Sequence, residues 1–356
     1  MKIILVALIC STAIASQLSD KLNSNETYLG FRHSHNGSAH KALDYISKDI
    51  KAYINKGRVN LYKITNKSFD LSKTPKFVQD QFFYVSKEDL VYMPQTSKTL
   101  ENNPLVINSL KKLNVESYKN YVTSLVAIGN RSKGAEASSY LISELQKLNL
   151  TPIKTDYNIV SKIEGSTNNS IVIIGHMDTV RRTVGADDNA SGASGVMEMA
   201  RVLADVYKAT KPKESIYFVF SEDEEDGLKG AKKFVKDLKK AGTLKNVKLA
   251  INMDMIAYNK NNVVDLETSK SFKDLALDFA NKAKSYTTLT PNLVLNPWGS
   301  DHVPFIDNDI PALLTIENWK THTPCWHKSC DTLDTLNFEY AIEILKLNIA
   351  MVLDRK

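Results

Sequence analysis

The sequence predicts an α/β fold: a three-layer sandwich whose mixed, mostly parallel sheet is covered by helices on both faces, preceded by an N-terminal extension. Two observations predict it. Short continuous apolar runs recur beyond residue 104, the pattern of strands buried on both faces. Between them lie longer segments with apolar residues at helical spacing.

In chain order, residues 118–128 and 135–148 read as helices, 171–174 as a strand and 190–206 as a helix rich in Ala and Met. Residues 216–220 and 249–253 read as buried strands, 272–283 as a helix, 312–316 as another strand and 338–353 as the last helix. Ahead of them, residues 16–103 form a polar, glycine-poor N-terminal region with short apolar segments at 82–85 and 90–93. Pro104 marks the boundary, because the residue before a proline is pushed out of helical geometry. His33, His35 and His40 lie in this region with no further ligand beside them, and read as surface histidines.

At the very start, Lys2, an apolar run over 3–10 and the small-residue ending Ala13-Ile14-Ala15 have the order of a signal peptide over residues 1–15. No later run approaches bilayer length, so export without membrane insertion is expected, to the extracellular space, the periplasm or a lysosomal lumen. The net charge of +6 comes from scattered lysines. With no basic stripe interleaved with aromatics, a nucleic-acid partner is not expected. Sequons stand at Asn25, Asn36, Asn66, Asn130, Asn168 and Asn189, sites for glycans in a eukaryotic host.

Ligands bind at the carboxyl ends of the strands in such sheets. There the sequence places Gly175-His176-Met177-Asp178, then Glu222-Asp223-Glu224-Glu225-Asp226, then Asp254, then a segment containing His322, Cys325, His327 and Cys330. Between the first two lies Gly185-Ala186-Asp187-Asp188-Asn189-Ala190-Ser191-Gly192, opening a helix. Taken singly, each has an ordinary reading: a surface hydrogen bond, a solvated acidic run, an N-cap. Gathered at one sheet edge, carboxylates and imidazoles require a compensating cation, and a mixed set of this kind is zinc chemistry.

These motifs, with Asn130-Arg131, Glu224-Glu225-Asp226-Gly227-Leu228-Lys229-Gly230, Ser300-Asp301-His302 and His327 followed by Asp331-Thr332, resemble the M28 zinc aminopeptidases, such as the secreted bacterial leucyl enzymes. The resemblance covers roughly residues 105–356. It implies a peptidase domain over 104–356, two zinc ions and peptide substrates with a free N-terminus. Asp188 would bridge the ions, His176 and Asp254 completing one position, Glu225 and His327 the other. Glu224 would be the general base acting on an activated water, and Asp178 would orient the His176 ring. Asp187 and Asp301 would support the site, and a cis peptide is implied at Asp188-Asn189. The pairing with Asp331-Thr332 favours His327 over His322 as ligand, while His302 would support without binding metal. Trp298 lies in a loop that lines the substrate pocket in relatives, and reads either as an apolar wall or as a packed core residue.

Residues 16–103 read as a prosegment of the kind some secreted relatives possess, or as a plain structural extension. Cys325 and Cys330 flank His327; with export they are expected to pair, the other readings being reduced thiols or thiolate ligands. A glutaminyl-peptide cyclotransferase, an M20-type metallohydrolase and a non-catalytic binding module are the competing classes. The acidic motifs look like the peptidases, the chain leaves no room for the M20 lid domain, and a binding module would not need all five ligands.

Overall fold

The computed structural model describes residues 26–31, 37–56, 59–85 and 103–355. The expected signal peptide, His33, His35, the sequons at Asn25 and Asn36 and the apolar segment at 90–93 lie outside the described residues.

Two sheets organise the chain. The first is antiparallel, in the order β2-β3-β1-β4, from β1 (Tyr28–Phe31), β2 (Ile50–Lys56), β3 (Val59–Ile64) and β4 (Phe82–Val85). Alternation along the strands divides its side chains between two faces. Leu29, Phe31 and Phe82 pack with Ala42 and Ile46 of helix α1 (Gly37–Ile46) and Val78 of the short helix α2 (Lys76–Gln79). Tyr28, Leu61 and Val85 point the other way, toward Trp298. Gly30 pairs with Phe83 across the strands, and a Cβ there would stand 2.4 Å from the Phe83 ring, so only glycine lets that ring lie flat across β1.

Asn103 and Pro104 then begin α3 (Pro104–Leu110), the Asn103 side chain accepting from Leu105 N at 2.9 Å and proline taking a first-turn position that needs no donor. Asn114 caps α4 (Val115–Ala127) in the same way, and α5 (Ala135–Lys147) follows.

The second sheet has eight strands, ordered β11-β10-β12-β9-β7-β8-β6-β5. They are β5 (Ile153–Lys154), β6 (Asn158–Ile163), β7 (Ser170–His176), β8 (Ser215–Ser221), β9 (Val247–Met253), β10 (Val263–Glu267), β11 (Thr290–Val294) and β12 (Ala312–Glu317). The central strands β12, β9, β7 and β8 are mutually parallel, while β6 and β10 run antiparallel to them. Ile171 and Ile173 of β7 face the larger core, built with α4, α5, α6 (Gly192–Val206), α8 (Lys273–Tyr286) and α10 (Phe338–Leu353). Val172 and Ile174 face a smaller core with Phe234 of α7 (Lys229–Lys240) and Phe305 of the short α9 (Val303–Ile306). The three layers follow directly from the period-two alternation of those strands.

The lysines of α7 lie on its outer side: Phe234 and Val235 are buried while Lys236, Lys239 and Lys240 are not. No helix among the described residues is long and apolar enough to cross a membrane.

Candidate active site

The sheet positions the ligand candidates by ending its strands side by side. His176 is the last residue of β7, and Asp254 directly follows β9. Glu224 and Glu225 lie in the turn between β8 and α7. Asp188 lies in the turn that opens α6, where Asp188-Asn189 is a cis peptide. Gly192 begins α6 so close to β9 that a Cβ would stand 2.2 Å from the Met253 carbonyl oxygen. Asn189 ties this turn to the end of β9: its Nδ2 donates to Met253 O at 3.0 Å, and its Oδ1 accepts from Gly192 N at 2.8 Å and Met255 N at 3.2 Å.

The resulting constellation has two halves. His176 Nε2 lies 3.4 Å from Asp188 Oδ1 and 3.4 Å from Asp254 Oδ1. His327 Nε2 lies 3.0 Å from Asp188 Oδ2 and 3.1 Å from Glu225 Oε2. Each half is a compact triad able to hold a cation, and Asp188 contributes a different oxygen to each. We call the His176 half position A and the His327 half position B.

The electrostatics point to a cation. His176 Nε2, Asp254 Oδ1 and Glu225 Oε1 are buried with no protein hydrogen-bond partner. Buried polar atoms left so are costly, and imidazole with carboxylate is a donor set that suits zinc, so the residues fit the expected metal. Burial pushes the Glu224 carboxyl well above the usual range, with His176 offsetting part of the effect. Burial next to Asp188 raises Glu225 to about 7. Burial opposes charge on His327, yet Glu225 and Asp188 hold its pKa up at about 10. His176 is likewise pushed up, its burial outweighed by Glu224, Asp254, Asp178 and Asp188.

A second ring of contacts fixes these ligands. Asp178 faces His176 Nδ1 at 3.4 Å while accepting from the backbone N–H groups of Glu224 and Glu225, each at 3.3 Å. Asp187 does not point at either position; its Oδ1 accepts from Ala257 N at 2.9 Å. Asp301 accepts from the Ser221 hydroxyl at the end of β8, and His302 faces Glu267 at 3.4 Å. His322 stacks on Trp319 at 4.2 Å, and it belongs to neither ligand triad.

The structure adds supporting residues that sequence reading left without a role. Ser300 Oγ donates to Asp254 Oδ2 at 2.7 Å and accepts from Asn252 Nδ2 at 2.7 Å. Asp331, used above only to choose among histidines, accepts from Asp187 N at 2.8 Å and Asp188 N at 3.0 Å, so it orders the backbone of Asp188. Arg131 is fully buried and donates to the carbonyls of Met177, Val184 and Gly185, bracing the two segments that carry His176 and Asp188. Their signal was their place inside quoted motifs.

Trp298 takes the packed one of its two readings, and one expectation is corrected. Trp298 is only 5% exposed, its ring lying edge-on to Phe83 at 5.2 Å among Tyr28, Leu61 and Val85. With the N-terminal sheet in place, Trp298 is covered by it. Asn189 cannot carry a glycan in the folded chain, because it is buried and its amide is committed to β9. Cys325 and Cys330 are joined as a disulfide.

Comparison with known proteins places this geometry in a family. The model of "Peptidase family M28" matches residues 158–352, and the chain belongs to that family. Among curated relatives it is 24% identical to a probable leucine aminopeptidase of Trichophyton verrucosum, over 85% of each chain. It is 28% identical to aminopeptidase Y of Saccharomyces cerevisiae, over 55% of this chain and 38% of the yeast protein. Among solved structures, the LapA aminopeptidase of Legionella pneumophila superposes with a TM-score of 0.67 at 23% identity, covering 93% of this chain and 98% of that one. That span is too large to leave out the N-terminal sheet. A leucine aminopeptidase precursor of Bacteroides thetaiotaomicron shares the fold over 68% of this chain and 98% of its own, with a TM-score of 0.58 at 20% identity.

Proposed function

We propose that this protein is an exported aminopeptidase that hydrolyses the N-terminal residue from peptides at a two-zinc site. The observation that carries the reading is the pair of triads sharing Asp188, with Glu224 beside them. In this reading Asp188 bridges the two positions, His176 and Asp254 complete A, and Glu225 and His327 complete B. Bound zinc supplies Lewis acidity and a lowered pKa for water, to about 7.

The chain's own groups do the rest. Glu224 takes a proton from the attacking water and delivers it to the departing amine, a task for which a carboxyl pKa raised by burial is suited. Asp178 holds the Glu224 backbone and the His176 ring in one frame, so base and ligand cannot drift apart. The names of the curated relatives support an aminopeptidase reading. The signal-like N-terminus and the disulfide support export. The N-terminal region 16–103, whose Tyr28, Leu61 and Val85 pack on Trp298, is read as a prosegment that remains packed against the peptidase domain until it is removed.

The test is release of p-nitroaniline from leucine p-nitroanilide, run beside an N-acetylated analogue and a glutaminyl peptide. The expected outcome is release that chelator abolishes and zinc restores, with the acetylated analogue inert. Absent or chelator-insensitive release would overturn the reading, and cyclisation of the glutaminyl peptide would replace it with the cyclotransferase alternative.

A further inference from the structure

The two metal positions are held in different ways. Position A draws His176 and Asp254 from the ends of β7 and β9, which lie adjacent and parallel in the middle of the sheet. Those ligands are further fixed by Asp178 and Ser300. Position B takes Glu225 from a turn, and its only imidazole comes from an irregular segment beyond β12.

That segment has little regular structure to hold it. His327 has φ of +59°, a left-handed conformation that few residues other than glycine adopt, histidine being among the more tolerant. The backbone bond that closes the turn runs from Lys328 N to Cys325 O, at 2.9 Å. Trp326 stacks on the His327 ring at 4.1 Å. Around this turn the Cys325–Cys330 disulfide closes a covalent ring with His327 inside it. Asp331, the next residue, holds the backbone of Asp188. The covalent ring encloses His327 but neither Asp331 nor Asp188, so the ligands of position A lie outside it. Its Cys330 end is exposed, within reach of a reductant.

We propose that the Cys325–Cys330 disulfide is a positioning element for position B, so that opening it selectively weakens metal binding there and leaves position A intact. The inference rests on the two-position reading above. The physical reason is preorganisation. An imidazole already aimed between Asp188 and Glu225 loses little freedom on binding, whereas one on an open loop must be ordered by the metal itself. Loss of such support typically weakens metal affinity about 10–100-fold. Reduction by a water-soluble phosphine breaks the S–S bond by two electrons; water supplies the oxygen of the phosphine oxide and the protons of the two thiols. A phosphine also avoids the zinc chelation that a dithiol reductant introduces.

The test is zinc content and affinity of the full chain in zinc buffers, by elemental analysis and by competition with a chromophoric chelator. Wild type, C325S/C330S and H327A are compared, each with its circular dichroism spectrum, alongside phosphine-reduced wild type in case the double variant fails to fold. Wild type is expected to hold two equivalents. The opened loop should retain one at unchanged affinity and weaken the other by tenfold or more. Adding C325S/C330S to H327A should cause no further loss, because both changes act on one position. Two equivalents at wild-type affinity in a folded, opened protein would overturn the proposal, and so would equal weakening of both. If wild type itself takes up only one, the two-position reading fails, and this proposal with it.

Discussion

Glu224 and Glu225 are adjacent in sequence and, in the proposed reading, separate in task. Glu225 Oε2 faces His327 at 3.1 Å, whereas Glu224 stands with His176 and is the more strongly pushed toward its protonated form by burial. E224Q is expected to keep its metal content and lose turnover by about 10²–10⁴-fold. E225Q is expected to lose zinc from position B. Elemental analysis beside the rate separates the two, and loss of zinc from E224Q would mean the roles are exchanged. The histidines give a prediction of opposite kind. His327, held at about 10 in the metal-free site, is protonated at pH 7, yet zinc takes a neutral imidazole. Zinc uptake at pH 7 is therefore expected to release protons, and apparent affinity to rise with pH until His327 titrates. Calorimetry in buffers of differing ionisation enthalpy measures the count; a buffer-independent heat would contradict it.

At the scale of elements, the strands that read most clearly were the ones that carry ligands. The continuous apolar runs of β7, β8, β9 and β12 arise because both their faces are covered; His176 ends β7 and Asp254 directly follows β9, while Glu225 and His327 come from the segments beyond β8 and β12. The strands at the β5 end of the sheet were hidden for the same physical reason. β5 has both residues exposed and β6 mixes buried with exposed positions, so neither shows a continuous run. The N-terminal sheet was missed because its strands are short and its register depends on a partner distant in sequence, as when Gly30 makes room for Phe83. Its other face meets Trp298, and that contact could not be read from either segment alone. W298A should loosen the docking of residues 26–85, costing about 3–5 kcal/mol by analogy with buried Trp→Ala changes. Limited proteolysis should then cut the N-terminal sheet faster while the larger sheet stays resistant; unchanged cleavage would show that Trp298 does not anchor it.

Across the whole molecule, the eight-stranded sheet acts as a rack that brings residues as distant in sequence as His176 and His327 onto the two sides of one carboxylate. The ligand types and their order were legible in the sequence because each follows a recognisable strand or opens a helix. Their sharing of Asp188 between separate oxygens was not, since that depends on the turn before α6 and on backbone held by Asp331 and Asn189. Arg131 stood in a motif, but its role as a brace was not legible, because it works by donating to backbone carbonyls, which any sequence supplies. The central claim is that Asp188 joins two metal positions. An anomalous-difference map at the zinc edge from zinc-loaded crystals tests it most directly. Two peaks about 3.5–4 Å apart, one on each side of the Asp188 carboxylate, are predicted. A single peak, or a second one away from His327 and Glu225, would contradict it.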